Sequence, residues 1–225
     1  MPLRTPRPVL FDLDGTLADT IPLLLASMRA AYAAVGGPEP EERAWLRGMG
    51  TPLRAQFMHF ESDDLARVEA LIAVYRDWQV THLVEYVREY AGVPALLAAL
   101  QTAGHPIAVV TGKGDGMARL TLKQVGLLAP FEVIVGADAT ARHKPDPDPL
   151  LLGAARLGVP AAGALYVGDA PNDVLAARAA GMIDVWAAWG PFRQAELEPF
   201  TPSHTAQTPD DVIQLITRLD AQRPG

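Results

Sequence analysis

Five short apolar runs punctuate the chain, at 9–13, 107–110, 131–135, 164–167 and 183–187. None alternates apolar with polar residues as a half-exposed strand would, so each reads as a strand covered on both faces. Helical patterns lie between the later runs, and the residues that bound them fit. Pro94 opens and Gly104 closes one helix, Gly126 closes another, and Gly181 ends the one that follows Asp173. The last helix is the best marked. Thr208 supplies an N-cap, Pro209 the first helical position, and Asp210 and Asp211 the acids of the first turn, ahead of Val212, Leu215, Ile216 and Leu219 at helical spacing. Strands alternating with helices predict an α/β fold built on a parallel sheet with both faces covered.

The stretch from Ala18 to Tyr90 breaks this rhythm. It holds no strand-like run and reads as helices alone. Ile21, Leu24, Leu25, Met28, Tyr32 and Val35 share one helical face, and Ser62-Asp63-Asp64 opens a second helix bearing Leu65, Val68, Leu71, Ile72 and Tyr75. A helical insert after the first strand suggests a cap over a site. It divides the chain into a core of residues 1–17 and 91–225 and a cap of residues 18–90. No internal repeat is present.

A chain of 225 residues is long enough to bury a core of ordinary domain size. The cysteine count of 0 excludes disulfides, thiolate metal sites and cysteine nucleophiles. A formal net charge of -7 argues against a general binder of nucleic acid or anionic membrane, while leaving room for a local basic pocket for a small anion. The apolar stretch near the N-terminus breaks at Asp12, too short for a signal-peptide core or a membrane span. A cytoplasmic protein is expected, with no nucleic-acid or membrane partner, as a monomer or homodimer. His59, His82, His105, His143 and His204 form no ligand-spaced set, and Trp186 and Trp189 read as packing residues.

In an open parallel sheet, ligands bind in the crevice beyond the carboxyl ends of the strands. The distinctive polar residues fall at those ends. Asp12 and Asp14 leave the first strand, Thr111-Gly112-Lys113 the second and Gly168-Asp169-Ala170-Pro171-Asn172-Asp173 the fourth, while Lys144 lies in the loop after the third. Each has a plainer account alone. Asp and Gly after a strand make ordinary turns, Thr-Gly joins strands to helices, lysines are mostly solvated, and acids satisfy helix N-termini. Four such coincidences at successive strand ends favour a shared site.

These motifs, Asp12-Leu13-Asp14-Gly15-Thr16, Thr111, Lys144 and Gly168-Asp169 through Asp173, resemble in order and position those of the haloacid dehalogenase superfamily, particularly its phosphoglycolate phosphatase-like branch, which includes pyrophosphatases of similar build. The resemblance implies a Rossmann-like, doubly wound core with an inserted all-helical cap. It further implies Mg²⁺ dependence and hydrolysis of a small metabolite's phosphate ester through an aspartyl-phosphate. Asp12 is then the nucleophile, and Asp14 protonates the leaving oxygen before deprotonating the hydrolytic water. Asp14 must start protonated, which nearby carboxylates favour. Mg²⁺ takes Asp12, the backbone carbonyl of Asp14 and Asp169, with Asp173 in support or acting through a water. Thr111, Gly112 and Lys144, with Leu13 and Thr16, hold the phosphate. Cap loops of relatives face the active site, which makes Arg47, Thr51 and Arg54 candidate substrate contacts.

Two departures bear on substrate choice. Gly112-Lys113 stands where many phosphoglycolate phosphatases carry Asn after the motif Thr, and Ala170-Pro171 replaces a pair whose first member is often Ser or Thr with a polar follower. Neither touches the acids. A phosphomutase or pyrophosphatase of the same superfamily remains an alternative, as does a receiver-type phospho-aspartate signalling module. Against the last stand Asp14, which suits rapid hydrolysis, and the helical insert.

Overall fold

The computed structural model describes residues 6–61 and 64–222. The Arg- and Pro-bearing start of the chain, residues 1–5, and the expected helix opening at Ser62-Asp63 lie outside the described residues. Asp64 does cap that helix, its carboxylate accepting from the Arg67 amide at 3.0 Å.

Strand β1 (Val9–Phe11) leads through a tight turn into β2 (Ala18–Asp19) and four helices, α1 (Ile21–Val35), α2 (Glu42–Arg47), α3 (Leu53–Glu61) and α4 (Leu65–Tyr86). β3 (Arg88–Glu89) then returns antiparallel to β2, pairing Ala18 with Glu89 and Asp19 with Arg88. Alternation follows in α5 (Val93–Thr102), β4 (Ile107–Val110), α6 (Asp115–Gln124), β5 (Val133–Val135), α7 (Asp148–Leu157), β6 (Leu165–Gly168) and α8 (Pro171–Ala179). The chain closes with β7 (Ile183–Ala187), α9 (Gln194–Leu197), β8 (His204–Ala206) and α10 (Pro209–Ala221).

Six strands form one parallel sheet in the order β5-β4-β1-β6-β7-β8. β1 is interior, so its side chains divide between two cores. Val9 and Phe11 join Val109, Val167 and Val185 beneath α5, α6 and α10, whereas Leu10 joins Ala108, Val110 and Tyr166 beneath α7 and α8. Burial on both faces is why the interior strands β1, β4 and β6 are unbroken apolar runs.

The sheet is one strand wider than the five runs predict. β8 is an edge strand whose His204 and Thr205 keep contact with solvent, so no apolar run announces it. β5 starts later than the run at 131–135 because the Phe131 ring turns edge-on to Phe11, with centroids 6.5 Å apart. The stretch from Ala18 to Tyr90 also carries the two-residue strands β2 and β3 near its ends, too short to show a period.

The four inserted helices share an aromatic centre. The Trp45 ring lies 4.9 Å from Phe57 and 5.9 Å from Tyr75, a spacing that suits tilted rings. This cluster continues into Ala170, Val174, Trp186 and Phe192 of the sheet layer. From α2, Arg43 donates to the Pro191 carbonyl at 3.0 Å and pairs with Glu196. No helix of the described residues is long and apolar enough to cross a membrane.

Candidate active site

Parallel pairing runs one residue beyond β1, since the Asp12 amide donates to the Val167 carbonyl at 2.9 Å. This fixes Asp12 at the carboxyl edge, between the ends of β4 and β6. Gly15 turns the chain with φ of 81°, a left-handed conformation, and any Cβ there would meet Asp169 Oδ2 at 2.6 Å. Gly190 supplies the opposite wall, where a Cβ would come within 2.5 Å of the Asp169 Cβ.

Lys144 lies at the centre of the buried charges. Its ammonium donates to Asp173 Oδ1 at 2.6 Å and to the Tyr166 hydroxyl at 3.0 Å, and it pairs with Asp12 Oδ2 at 3.0 Å. The lysine side chain is 2% exposed and the two carboxylates 4% and 2%. The Tyr166 hydroxyl donates onward to the Val110 carbonyl at 2.8 Å, tying Lys144 to the end of β4. Asp173 Oδ2 accepts from the Ala170 amide at 2.9 Å, so this residue both caps α8 and orients Lys144.

Asp169 is less well satisfied. One oxygen accepts from the Thr16 hydroxyl at 2.9 Å, and Oδ2 is buried without a hydrogen-bond partner among the described residues. Burial, then the Asp173 and Asp12 charges, raise the Asp169 carboxyl well above the usual range. Burial also pushes Asp12 up to about 6, against the opposing pull of Lys144. Burial would lower the Lys144 pKa, but the charges of Asp12 and Asp173 prevail and raise it.

Asp12, Asp169 and Asp173 offer oxygens within 4.8 Å of one another. Three carboxylates facing one ammonium leave two negative charges, the complement of one divalent cation. The unpartnered Asp169 oxygen and the all-oxygen donor set fit Mg²⁺ in particular, which favours carboxylates and water.

A cavity of about 540 Å³ opens over this cluster. Asp12, Asp14, Thr111, Gly112 and Lys113 line it from the sheet edge, and Thr51, Arg54, Tyr75, Arg76 and Gln79 from the inserted segment. The Thr111 amide is held by the Val135 carbonyl at 2.9 Å, and its hydroxyl accepts from the Lys113 amide at 3.2 Å.

Several expected contacts fall elsewhere. Thr16 is fully buried and gives its hydroxyl to Asp169, while its carbonyl accepts from the Trp189 indole N–H at 2.9 Å. Leu13 packs its side chain in the core, and its amide donates to Asp12 Oδ1 at 2.8 Å. Arg47 faces Glu196 at 3.6 Å and does not line the cavity, whereas Thr51 and Arg54 do. The partner of Asp14 is a cation. Lys113 donates to both its oxygens, at 2.7 Å and 2.9 Å, in place of the carboxylate neighbours the sequence suggested.

Sequence reasoning did not reach Tyr166, hidden in an apolar strand, nor Gly190, which no local pattern marks. His143 showed only as one of a histidine set without ligand spacing, in a surface or loop position, and Arg76 and Gln79 merge with the polar positions of α4, yet all three line the cavity.

The Gly112 departure has a steric reason, because a Cβ there would lie 2.6 Å from the Gly50 carbonyl oxygen of the inserted segment. The Cβ position is fixed by the backbone at 112 and the oxygen is itself backbone, so neither can rotate away. Gly112→Ala is expected to cost about 1–3 kcal/mol in urea unfolding and to lower kcat/KM, by forcing the Gly50 loop off the site.

Comparison with known proteins agrees. The haloacid dehalogenase-like hydrolase family model matches residues 9–187. A phosphoglycolate phosphatase of Xylella fastidiosa is 40% identical over 218 residues, covering 96% of this chain and 93% of the relative. A Clostridium perfringens protein provisionally named pyrophosphatase PpaX is 31% identical, covering 96% and 99% respectively. The crystal structure of a hydrolase from Pseudomonas syringae superposes with a TM-score of 0.85 at 26% identity, over 97% of this chain and all of the other. With a family match spanning most of its length and a site assembled at the predicted strand ends, this chain belongs to the haloacid dehalogenase-like hydrolase family.

Proposed function

We propose that the protein is a Mg²⁺-dependent phosphatase that hydrolyses the phosphate ester of a small metabolite through a phosphorylated Asp12. One observation carries this reading. Of the buried acids clustered about Lys144, Asp12 alone lines the cavity, beside Asp14, so one carboxylate of that cluster meets the substrate with its partners behind it.

Lys144 and the Leu13 amide each hold one Asp12 oxygen, which fixes the carboxylate for attack on phosphorus. As Asp12 bonds to phosphorus, the ester bond breaks and Asp14 gives the leaving oxygen its proton. Asp14 then takes a proton from water, whose oxygen displaces Asp12 and frees phosphate. Lys113 pairs with the Asp14 carboxylate until phosphate oxygens take its ammonium, and Asp14 then takes up from solvent the proton that it gives to the leaving oxygen. The Thr111 hydroxyl and the Gly112 amide receive the phosphoryl oxygens. A Mg²⁺ held by Asp12, Asp169 and the Asp14 carbonyl, with Asp173 behind, would neutralise the phosphoryl charge.

Phosphoglycolate is the first substrate to assay, since a relative 40% identical over almost the whole chain bears that name, and pyrophosphate is the second. With Mg²⁺, purified protein should release phosphate from at least one of a panel of small phosphate esters or pyrophosphate. Silence across that panel would overturn the reading.

Mg²⁺ alone should also stabilise the fold. Binding to the native state adds about 2.7 kcal/mol at a hundred times the Kd, so Tm rises with MgCl₂ and falls back with EDTA. In Asp169→Asn most of that response should vanish. An equal response in the variant would place the cation elsewhere.

A further inference from the structure

We propose that Tyr75, Arg76 and Gln79 of α4 form a subsite for a second anionic oxygen group, carried by the part of the substrate that leaves. The proposal rests on the phosphatase reading and adds the substrate feature that the cavity selects.

Tyr75 is 4% exposed and Gln79 5% exposed, and both line the cavity. Neither the Tyr75 hydroxyl nor the Gln79 amide hydrogen-bonds to another described residue. Neither group is among the buried polar atoms left without a partner, so both open into the cavity, where a ligand's polar atoms can pair with them. Arg76 adds charge. Among the cations lining the cavity, Lys113 is matched by Asp14 and Arg54 by Glu69, while Arg76 has no acidic partner among the described residues. Positions 75 and 79 lie one turn apart, and 76 and 79 are also neighbours at helical spacing, so the three can converge on one group.

Their chemistry selects the ligand. Burial and the Asp14 charge keep the Tyr75 hydroxyl protonated. Hydroxyl, amide N–H and guanidinium are then donors, with one positive charge among them. Donors with a cation suit acceptor-only oxygens, those of a carboxylate or a second phosphoryl group. A neutral leaving group would strand them unpaired.

The test compares kcat/KM for phosphoglycolate, pyrophosphate and ethyl phosphate in the wild type, Arg76→Gln and Gln79→Leu. Ethyl phosphate has the same phosphoryl group without the second anion. The wild type should prefer at least one of the charged substrates by about tenfold to a hundredfold, mostly through KM. Each substitution should shrink that preference. A merely structural role would lower turnover of all three together and leave the ratios standing, and that result would overturn the subsite. Equal use of ethyl phosphate by the wild type would also overturn it while sparing the phosphatase reading. No turnover of any ester would sink both. Which charged substrate loses more on substitution separates a carboxylate from a phosphoryl group.

Discussion

Asp12→Asn should give a folded protein whose phosphate release is lower by about 10³-fold or more, since an amide supplies no nucleophile and the remaining groups cannot act without one. The fold survives for reasons visible around the site. The Asn carbonyl can still accept from the Leu13 amide, and Lys144 keeps Asp173 at 2.6 Å and Tyr166 at 3.0 Å. The substitution also removes one of three carboxylates crowded within 4.8 Å, so the metal-free protein should be no less stable than the wild type. The pH dependence has a definite sign. Asp12 is held up at about 6 against an ordinary value of 3.8, so the folded state binds its proton more tightly than the unfolded chain. Ionising Asp12 therefore subtracts stability as pH rises through that window. Urea unfolding in EDTA should show Asp12→Asn gaining on the wild type between about pH 4 and pH 6, with no further gain above it. A variant that gains nothing, or that still turns over at a rate near wild type, would remove Asp12 from the centre of the site.

Much of this was legible in the chain because burial leaves a periodic trace. Strands β1, β4 and β6 are covered on both faces and therefore appear as apolar runs. The acids fall where those runs stop. β8 was not legible, since an edge strand needs no such run, nor was the β2–β3 ribbon, which has two residues a side. Site residues divide in the same way. Asp12, Asp14, Thr111 and Asp169 follow their strands directly, so order along the chain locates them. Tyr166 faces Lys144 through a hydroxyl that an apolar strand conceals, and Gly190 matters only for the Cβ it lacks beside Asp169. Thr16 and Lys113 could be seen but not their partners. That a hydroxyl would serve Asp169 and an ammonium Asp14 depends on side-chain distances that spacing does not carry.

Removing the buried cation should do more damage than removing the nucleophile. In Lys144→Met the side chain keeps roughly its length, but Asp12 and Asp173 lose the charge that faces both at 3.0 Å and 2.6 Å. Breaking a buried ion pair from one side leaves uncompensated charge and typically costs about 3–5 kcal/mol. Unfolding in EDTA should show a loss of that order, and activity should fall with it because nothing then holds Asp12 Oδ2. Lys144→Arg is not a conservative escape. The lysine is 2% exposed, with three oxygens at 2.6–3.0 Å around one nitrogen, a spherical arrangement that a planar guanidinium does not match. Stability and catalysis can then be separated by a second change. Adding Asp173→Asn to Lys144→Met removes one stranded carboxylate, so the double variant should regain part of the lost stability while remaining inactive. If the double variant unfolded as easily as Lys144→Met, the damage would come from packing rather than from unpaired charge. If Lys144→Met kept its activity, the ammonium would have no part in holding the nucleophile.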